Sequence, residues 1–169
     1  LVGSTSSSPG APTLSTLTAG DGAVDVNFTA GSNGGSPITN YKYQLSTDGT
    51  TYGTATALSP ADSTSPVTIT GLTNGTRYHV KLIAVNALGD STASNVLSEV
   101  PASLPAAPTL TDATTAGSDN ITFTAGPTGG ASISNYEYSL NDGATWTALS
   151  PTDATSPLTI PIVSTSAAQ

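Results

Sequence analysis

The chain has no cysteine, so neither disulfides nor thiolate metal sites are open to it. Basic residues are nearly as scarce: three Lys and Arg stand against eleven acidic residues, for a formal charge of −8. Phosphate backbones are held by clustered Lys and Arg, so no nucleic-acid partner is expected. No apolar run approaches the ~18 residues of a membrane helix, and no membrane span is expected in this segment. The sequence opens on Leu1 without a basic-then-apolar leader, which reads as a processed chain or part of a longer one. Charged residues amount to 8%, so hydroxyls and backbone must solvate most of the surface.

What is present is alternation. A length of 169 residues with 36% hydrophobic residues suggests one or two domains with small cores. The clearest pattern is Gly71 to Ser91, GLTNGTRYHVKLIAVNALGDS. Tyr78, Val80, Leu82 and Ala84 fall two apart and share one face of an extended strand, while Arg77, His79 and Lys81 share the other. Asn74-Gly75, just ahead, marks a tight reversal.

The pattern Leu-x-Asn-Gly-x-x-Tyr-x-Val-x-Leu-x-Ala-x-Asn-x-x-Gly resembles the E–F corner and F strand of fibronectin type III modules. In that family a tyrosine hydroxyl ties back to the corner backbone. The resemblance implies that Leu72 and Tyr78 form the structural corner, with Val80, Leu82 and Ala84 pointing inward. The family often has Pro where this chain has Asn74, and a strand-B Trp where it has Phe28. The fold class implied is all-β: immunoglobulin-like (fibronectin type III) β-sandwiches in tandem, the second incomplete, of the kind seen in bacterial or viral surface proteins.

Taken in order, residues 1–8 are Ser-rich and read as a linker, ordered by packing against something such as a neighbouring subunit. Residues 9–101 make the first module. Ala11 to Leu14 resembles an edge strand A; Val24, Val26 and Phe28 face inward on strand B; Tyr41, Tyr43 and Leu45 share a face of strand C, with Lys42 and Gln44 opposite. Asp48-Gly49 gives a hairpin turn, Tyr52 is expected to start a short strand C′, Val67 and Ile69 form strand E, and strand G falls within Ala93 to Val100. Residues 102–106 form a linker short enough to favour a semi-rigid, end-to-end arrangement.

The second module, 107–169, restarts the pattern. Ala107-Pro108-Thr109-Leu110 repeats Ala11-Pro12-Thr13-Leu14, and Phe123 follows Phe28 at 123 − 28 = 95 residues, near the ~100 of one sandwich. Ile133, Tyr136, Tyr138 and Leu140 match Ile38, Tyr41, Tyr43 and Leu45; Trp146 replaces Tyr52; and Ser156 to Ile160 matches Ser65 to Ile69. Then the copy stops: Pro161-Ile162-Val163-Ser164 stands where the corner should begin, and no counterpart of strands F and G follows. Either the remaining strands belong to a part of a longer protein outside this sequence, or Tyr136, Tyr138 and Leu140 lie along an open edge that a strand from a neighbouring chain completes.

Little chemistry is legible. His79 is the only His and points out of a sheet face, so no catalytic residues are assigned and the segment is not read as an enzyme. No carboxylates are spaced like a calcium loop, and Asp48 and Asp142 are explained as turn residues before Gly. GSNGG and GPTGG lack the Lys and following helix of a phosphate loop, so neither metal nor cofactor is expected. Lys42, Arg77, His79 and Lys81 share one outer face, either as a solvating face or as a docking patch for an acidic module or glycan. Asn27, Asn74 and Asn120 head N-x-Ser/Thr sequons and are candidate glycosylation positions. No Arg-Gly-Asp adhesion signal is present; Gly89-Asp90 follows Leu88.

The functional expectation is a non-catalytic spacer or building block of an extracellular surface assembly such as a filament, sheath or appendage, linked through the open edge. Its partners would be copies of itself, neighbouring modules of a longer chain, or a glycan. The alternatives are an adhesion or glycan- or protein-binding module, or an accessory region of a secreted glycan hydrolase or virion surface protein.

Overall fold

The computed structural model describes residues 6–113 and 120–160. It separates into two compact units, divided between Ser103 and Leu104. No helix among the described residues is long and apolar enough to cross a membrane.

The first unit runs β1 (Thr13–Gly20), β2 (Ala23–Thr29), β3 (Asn40–Ser46), β4 (Thr56–Ala57), β5 (Val67–Thr70), β6 (Tyr78–Asn86), β7 (Gly89–Asp90) and β8 (Leu97–Glu99). One sheet has the order β1-β2-β5 and the other β4-β3-β6-β7, with β8 also on β6. Alternation explains why these segments form two facing sheets: Val24, Val26, Val67 and Ile69 from the first meet Tyr41, Val80, Leu82 and Ala84 from the second, and none of the eight is more than 1% exposed. Full burial of each large aliphatic among them stabilises the sandwich by about 1.5–3 kcal/mol. The β3–β6 ladder fixes the register, setting Tyr41 opposite Ala84, Tyr43 opposite Leu82 and Leu45 opposite Val80.

The second unit is a smaller arrangement of β9 (Thr109–Ala113), β10 (Asn120–Thr124), β11 (Glu137–Tyr138), β12 (Thr147–Ala148) and β13 (Leu158–Thr159). Its sheets are β13-β10-β9 and β11-β12. Local devices recur in both units. The Ser65 hydroxyl accepts the Phe28 amide at 2.9 Å, and Ser156 accepts that of Phe123 at 3.0 Å. Asn40 donates to the Leu58 carbonyl and accepts the Asp62 amide, as Asn135 does with Leu149 and Asp153. Gly31 presses on the backbone of strand β1's approach, where a methyl group would come 2.6 Å from the Ala11 carbonyl oxygen; Gly126 has the same crowding, 2.6 Å from that of Ala107.

One expectation changes. Tyr52 does not start strand C′: the strand is Thr56–Ala57, and Tyr52 lies in the preceding irregular stretch, where Gly53 bonds back to Leu45. In the Ser-rich start, Ser7 donates to the Gly34 carbonyl at 2.7 Å and its own carbonyl accepts the buried Asn86 amide at 2.9 Å. Within the chain it packs on its own unit. Both ends of the 102–106 linker are tied down as well: Ala102 donates to Gly20 and Ala106 to Pro127. The stretch Pro161 to Ser164, and with it any second corner, lies outside the described residues.

Candidate functional site

The most distinctive surface of the chain belongs to the second unit. β11 repeats the pairing of β3 with β4: Lys42 opposite Ala57 and Tyr43 opposite Thr56 become Glu137 opposite Ala148 and Tyr138 opposite Thr147. The other edge of β3 is taken by β6. Among the described residues, nothing pairs with the corresponding edge of β11. The face behind it opens as a predominantly apolar groove of about 680 Å³, walled by Phe123, Tyr136, Tyr138, Leu140, Trp146 and Ile160.

The groove is partly preformed. Tyr136 and Tyr138 pack on a small buried cluster of Phe123, Leu149 and Leu158, and the Tyr136 ring meets Phe123 edge to face at 4.6 Å. Leu140 and Trp146 are 66% and 62% exposed. All three residues expected on an open edge thus line the groove, Tyr136 and Tyr138 half-buried and Leu140 largely exposed. Trp146, which takes the place of Tyr52, stands at the rim, against the turn at Gly143.

On the first unit, Lys42, His79 and Lys81 share the outer face of β3 and β6. Each has its own partner. Lys42 Nζ lies 2.7 Å from Asp90 Oδ2, Lys81 Nζ stands 3.7 Å over the Tyr52 ring, and Arg77 donates to the Ser98 hydroxyl at 3.3 Å. The His79 ring lies against the turn at Gly49. A face so engaged offers less unpaired positive charge than the residue count suggests; an exposed ion pair adds at most about 1 kcal/mol of stability.

At the corner, the Thr73 amide donates to the Tyr78 hydroxyl at 3.2 Å and Leu72 packs at the edge of the core. Asn74 accepts the Gly22 amide and donates its own amide to Asp21 at 2.7 Å, so the nitrogen a glycan would occupy is held inside the corner. Asn27 is half-buried on the central strand β2, and Asn120, exposed on β10, accepts the Thr159 hydroxyl. No group of three His, Asp or Glu residues able to hold a metal occurs among the described residues.

The family model of the fibronectin type III domain matches residues 7–100. The chain belongs to the fibronectin type III family. Its first unit coincides with that match, from the Ser7 contact to the end of β8. Three solved structures are similar to part of the chain. A β-1,2-glucanase from Parabacteroides distasonis is 23% identical over 57% of this chain, with a TM-score of 0.46, and 13% of its own length is covered. A segment of titin is 24% identical over 56% of this chain, with a TM-score of 0.43 and 32% of its length covered. The twitchin kinase region from C. elegans is 24% identical over 56%, with a TM-score of 0.45 and 17% of its length covered. The chain therefore spans between 13% and 32% of these structures. No curated protein matches it. The fibronectin type III module is typically non-catalytic and often extracellular.

Proposed function

We propose that the chain is a non-catalytic building block of an extracellular surface assembly, in which a fibronectin type III module is followed by a second, incomplete module of the same kind. The observation that carries this reading is the recurrence of three contacts: the Phe amide donating to a Ser hydroxyl, the Asn side chain bridging a Leu carbonyl and an Asp amide, and the Phe–Tyr ring contact, with the Phe, Asn and Tyr 95 residues on (123 − 28) and the Ser, Leu and Asp 91 residues on (156 − 65). Repeated small sandwiches whose polar side chains serve their own turns supply length and shape more than chemistry. Such a unit suits a filament, sheath, appendage or virion exterior, with copies of itself or adjoining modules as neighbours.

Gold-labelled antibody against the first module tests the proposal on intact cells or particles of the source. Label on the exterior, ordered along a surface structure, is the expected result; label that appears only after lysis overturns it.

A binding role is the second reading, favoured by one feature: the exposed Trp146 beside an apolar groove. Aromatic rims of this kind stack on sugars as well as on peptides. A glycan panel that gives saturable binding, lost in Trp146→Ala, would support an adhesive or accessory module of a glycan-processing enzyme in place of a pure spacer.

A further inference from the structure

We propose that Asn33-Gly34 is a modification site, at which the asparagine converts spontaneously to isoaspartate or aspartate, and that the isoaspartate form releases the amino-terminal segment from the first unit. The modification is independent of the role the module serves.

Five Asn-Gly or Asp-Gly pairs occur in the chain, headed by Asp21, Asn33, Asp48, Asn74 and Asp142. In each, the glycine has no Cβ to keep its amide nitrogen from approaching the preceding side-chain carbonyl. The fold ties four of these nitrogens away. The Gly22 amide donates to Asn74 Oδ1 at 2.8 Å, Gly49 to the Ser46 hydroxyl at 2.9 Å, Gly75 to the Pro101 carbonyl at 2.9 Å and Gly143 to the Ser139 hydroxyl at 2.8 Å. The Gly34 amide makes no hydrogen bond among the described residues.

The two asparagines of the set, Asn33 and Asn74, differ at the leaving group as well. Asn33 is exposed in the loop between β2 and β3, and its Nδ2 has no partner among the described residues, whereas Asn74 Nδ2 is held by Asp21 at 2.7 Å. Once a solvent base takes the Gly34 amide proton, the nitrogen attacks Asn33 Cγ and a C–N bond forms. Charge develops on Oδ1, which already accepts the Gly35 amide at 2.9 Å. The Cγ–Nδ2 bond then breaks, ammonia leaves with a proton from water, and a succinimide ring remains. Water opens the ring at either carbonyl, giving aspartate or isoaspartate and one negative charge beyond the −8 of the chain.

Isoaspartate routes the backbone through Cγ, so an extra methylene enters the chain ahead of Gly34. This loop is what holds the amino-terminal segment. Ser7 donates to the Gly34 carbonyl at 2.7 Å, Gly10 to that of Ser32 at 2.8 Å, and Asn86 Nδ2 bridges the carbonyls of Ser7 and Asn33 at 2.9 and 3.0 Å. At φ 65° Gly34 lies so close to Ser7 and Ser8 that even a methyl group would run into their carbonyls, which leaves no slack for the insertion.

The test ages the whole 169-residue chain in mildly alkaline buffer, folded and in urea, and reads mass and isoaspartate content at Asn33 and Asn74 by peptide mapping. In the folded chain Asn33 should convert at least about tenfold faster than Asn74, which reacts only when the corner opens. In urea the two rates should converge. Equal rates in the folded chain overturn the proposal, and so does a difference that persists in urea, which would place the selectivity in the neighbouring residues instead of the fold. The isoaspartate-bearing fraction should exchange the Ser7 and Gly10 amides at least about tenfold faster than fresh protein. Freshly prepared Asn33→Asp, which adds the charge without the methylene, should keep them protected. Unchanged exchange in the isoaspartate fraction, or the same loss in Asn33→Asp, overturns the release of the segment.

Discussion

Tyr41 on β3 and Tyr136 just ahead of β11 occupy matching places in the two units, and each meets a phenylalanine ring edge to face, at 4.5 and 4.6 Å. Tyr41 is fully buried, whereas Tyr136 remains half-exposed at the wall of the groove. The difference is β6, which sets Ala84 opposite Tyr41 and has no counterpart among the described residues of the second unit. Burial also pushes the Tyr41 phenol above its ordinary pKa.

Unequal cover predicts unequal protection. Amides open with free energies set by local burial and hydrogen bonding, so those of residues 40–46 should exchange at least about tenfold more slowly than those of 137–138. Hydrogen exchange read by residue checks this. Equal protection would mean that the second unit is as well closed as the first.

The corner is testable by removing a single oxygen. Tyr78→Phe deletes the acceptor of the Thr73 amide while keeping the ring. A net hydrogen bond of this type is worth about 1 kcal/mol, which lowers the melting temperature of a domain this size by about 4–8 °C. Thermal unfolding of the first unit alone should report the loss, with the second unit's transition unmoved.

The Asn clamp should matter more than its surface position suggests. Asn40 donates to Leu58 at 3.1 Å and accepts the amides of Tyr41 and Asp62 at 2.8 and 3.1 Å. Asn40→Ala leaves those part-buried groups without their partner, at a cost of about 1–3 kcal/mol. Asn135→Ala should do the same to the second unit, where the bonds to Leu149 and Asp153 recur. Urea midpoints measured on each variant separate the two effects.

The alternating strands were legible because burial on one sheet face imposes a period of two on the sequence. Val24-x-Val26-x-Phe28 and Tyr78-x-Val80-x-Leu82-x-Ala84 have inward faces that follow from residue type alone. Thr56–Ala57 was not legible: both residues are exposed, so no apolar period marks the strand, and only its ladder to β3 defines it. Asn40 and Asp62 are 22 residues apart, and nothing local foretells their bond. The repeat could have shown it, since Asn135 and Asp153 recur at matching places beside Ser-Pro pairs in SPADSTSP and SPTDATSP. Trp146 differs from Tyr52 for a related reason. Its sequence position matches a residue held under Lys81, but a basic strand is what holds it, and that strand is missing here among the described residues.

Acid should loosen both units, through carboxylates that sit in turns. The amides of Thr51 and then Thr50, followed by the Ser46 hydroxyl, hold the Asp48 carboxyl well below the usual carboxylate range, each at 2.7–2.8 Å. Asp62 is lowered by the amide and hydroxyl of Thr64, and Asp153 by the hydroxyl and amide of Thr155. A carboxylate whose folded pKa lies below its unfolded value of 3.8 gives the unfolded chain the greater proton uptake as pH falls. Its stabilising effect is complete above the unfolded pKa and disappears as pH drops through the folded one. Urea midpoints should therefore be flat in this respect above about pH 5 and fall steadily below about pH 4. Asp48→Asn keeps a side-chain oxygen for the Thr50 and Thr51 amides but cannot titrate, so the variant should be less stable at neutral pH and lose less on acidification. A first unit whose midpoint is unchanged between pH 6 and about pH 2, or whose acid sensitivity is the same in Asp48→Asn, would show that these turn bonds do not discriminate folded from unfolded chain.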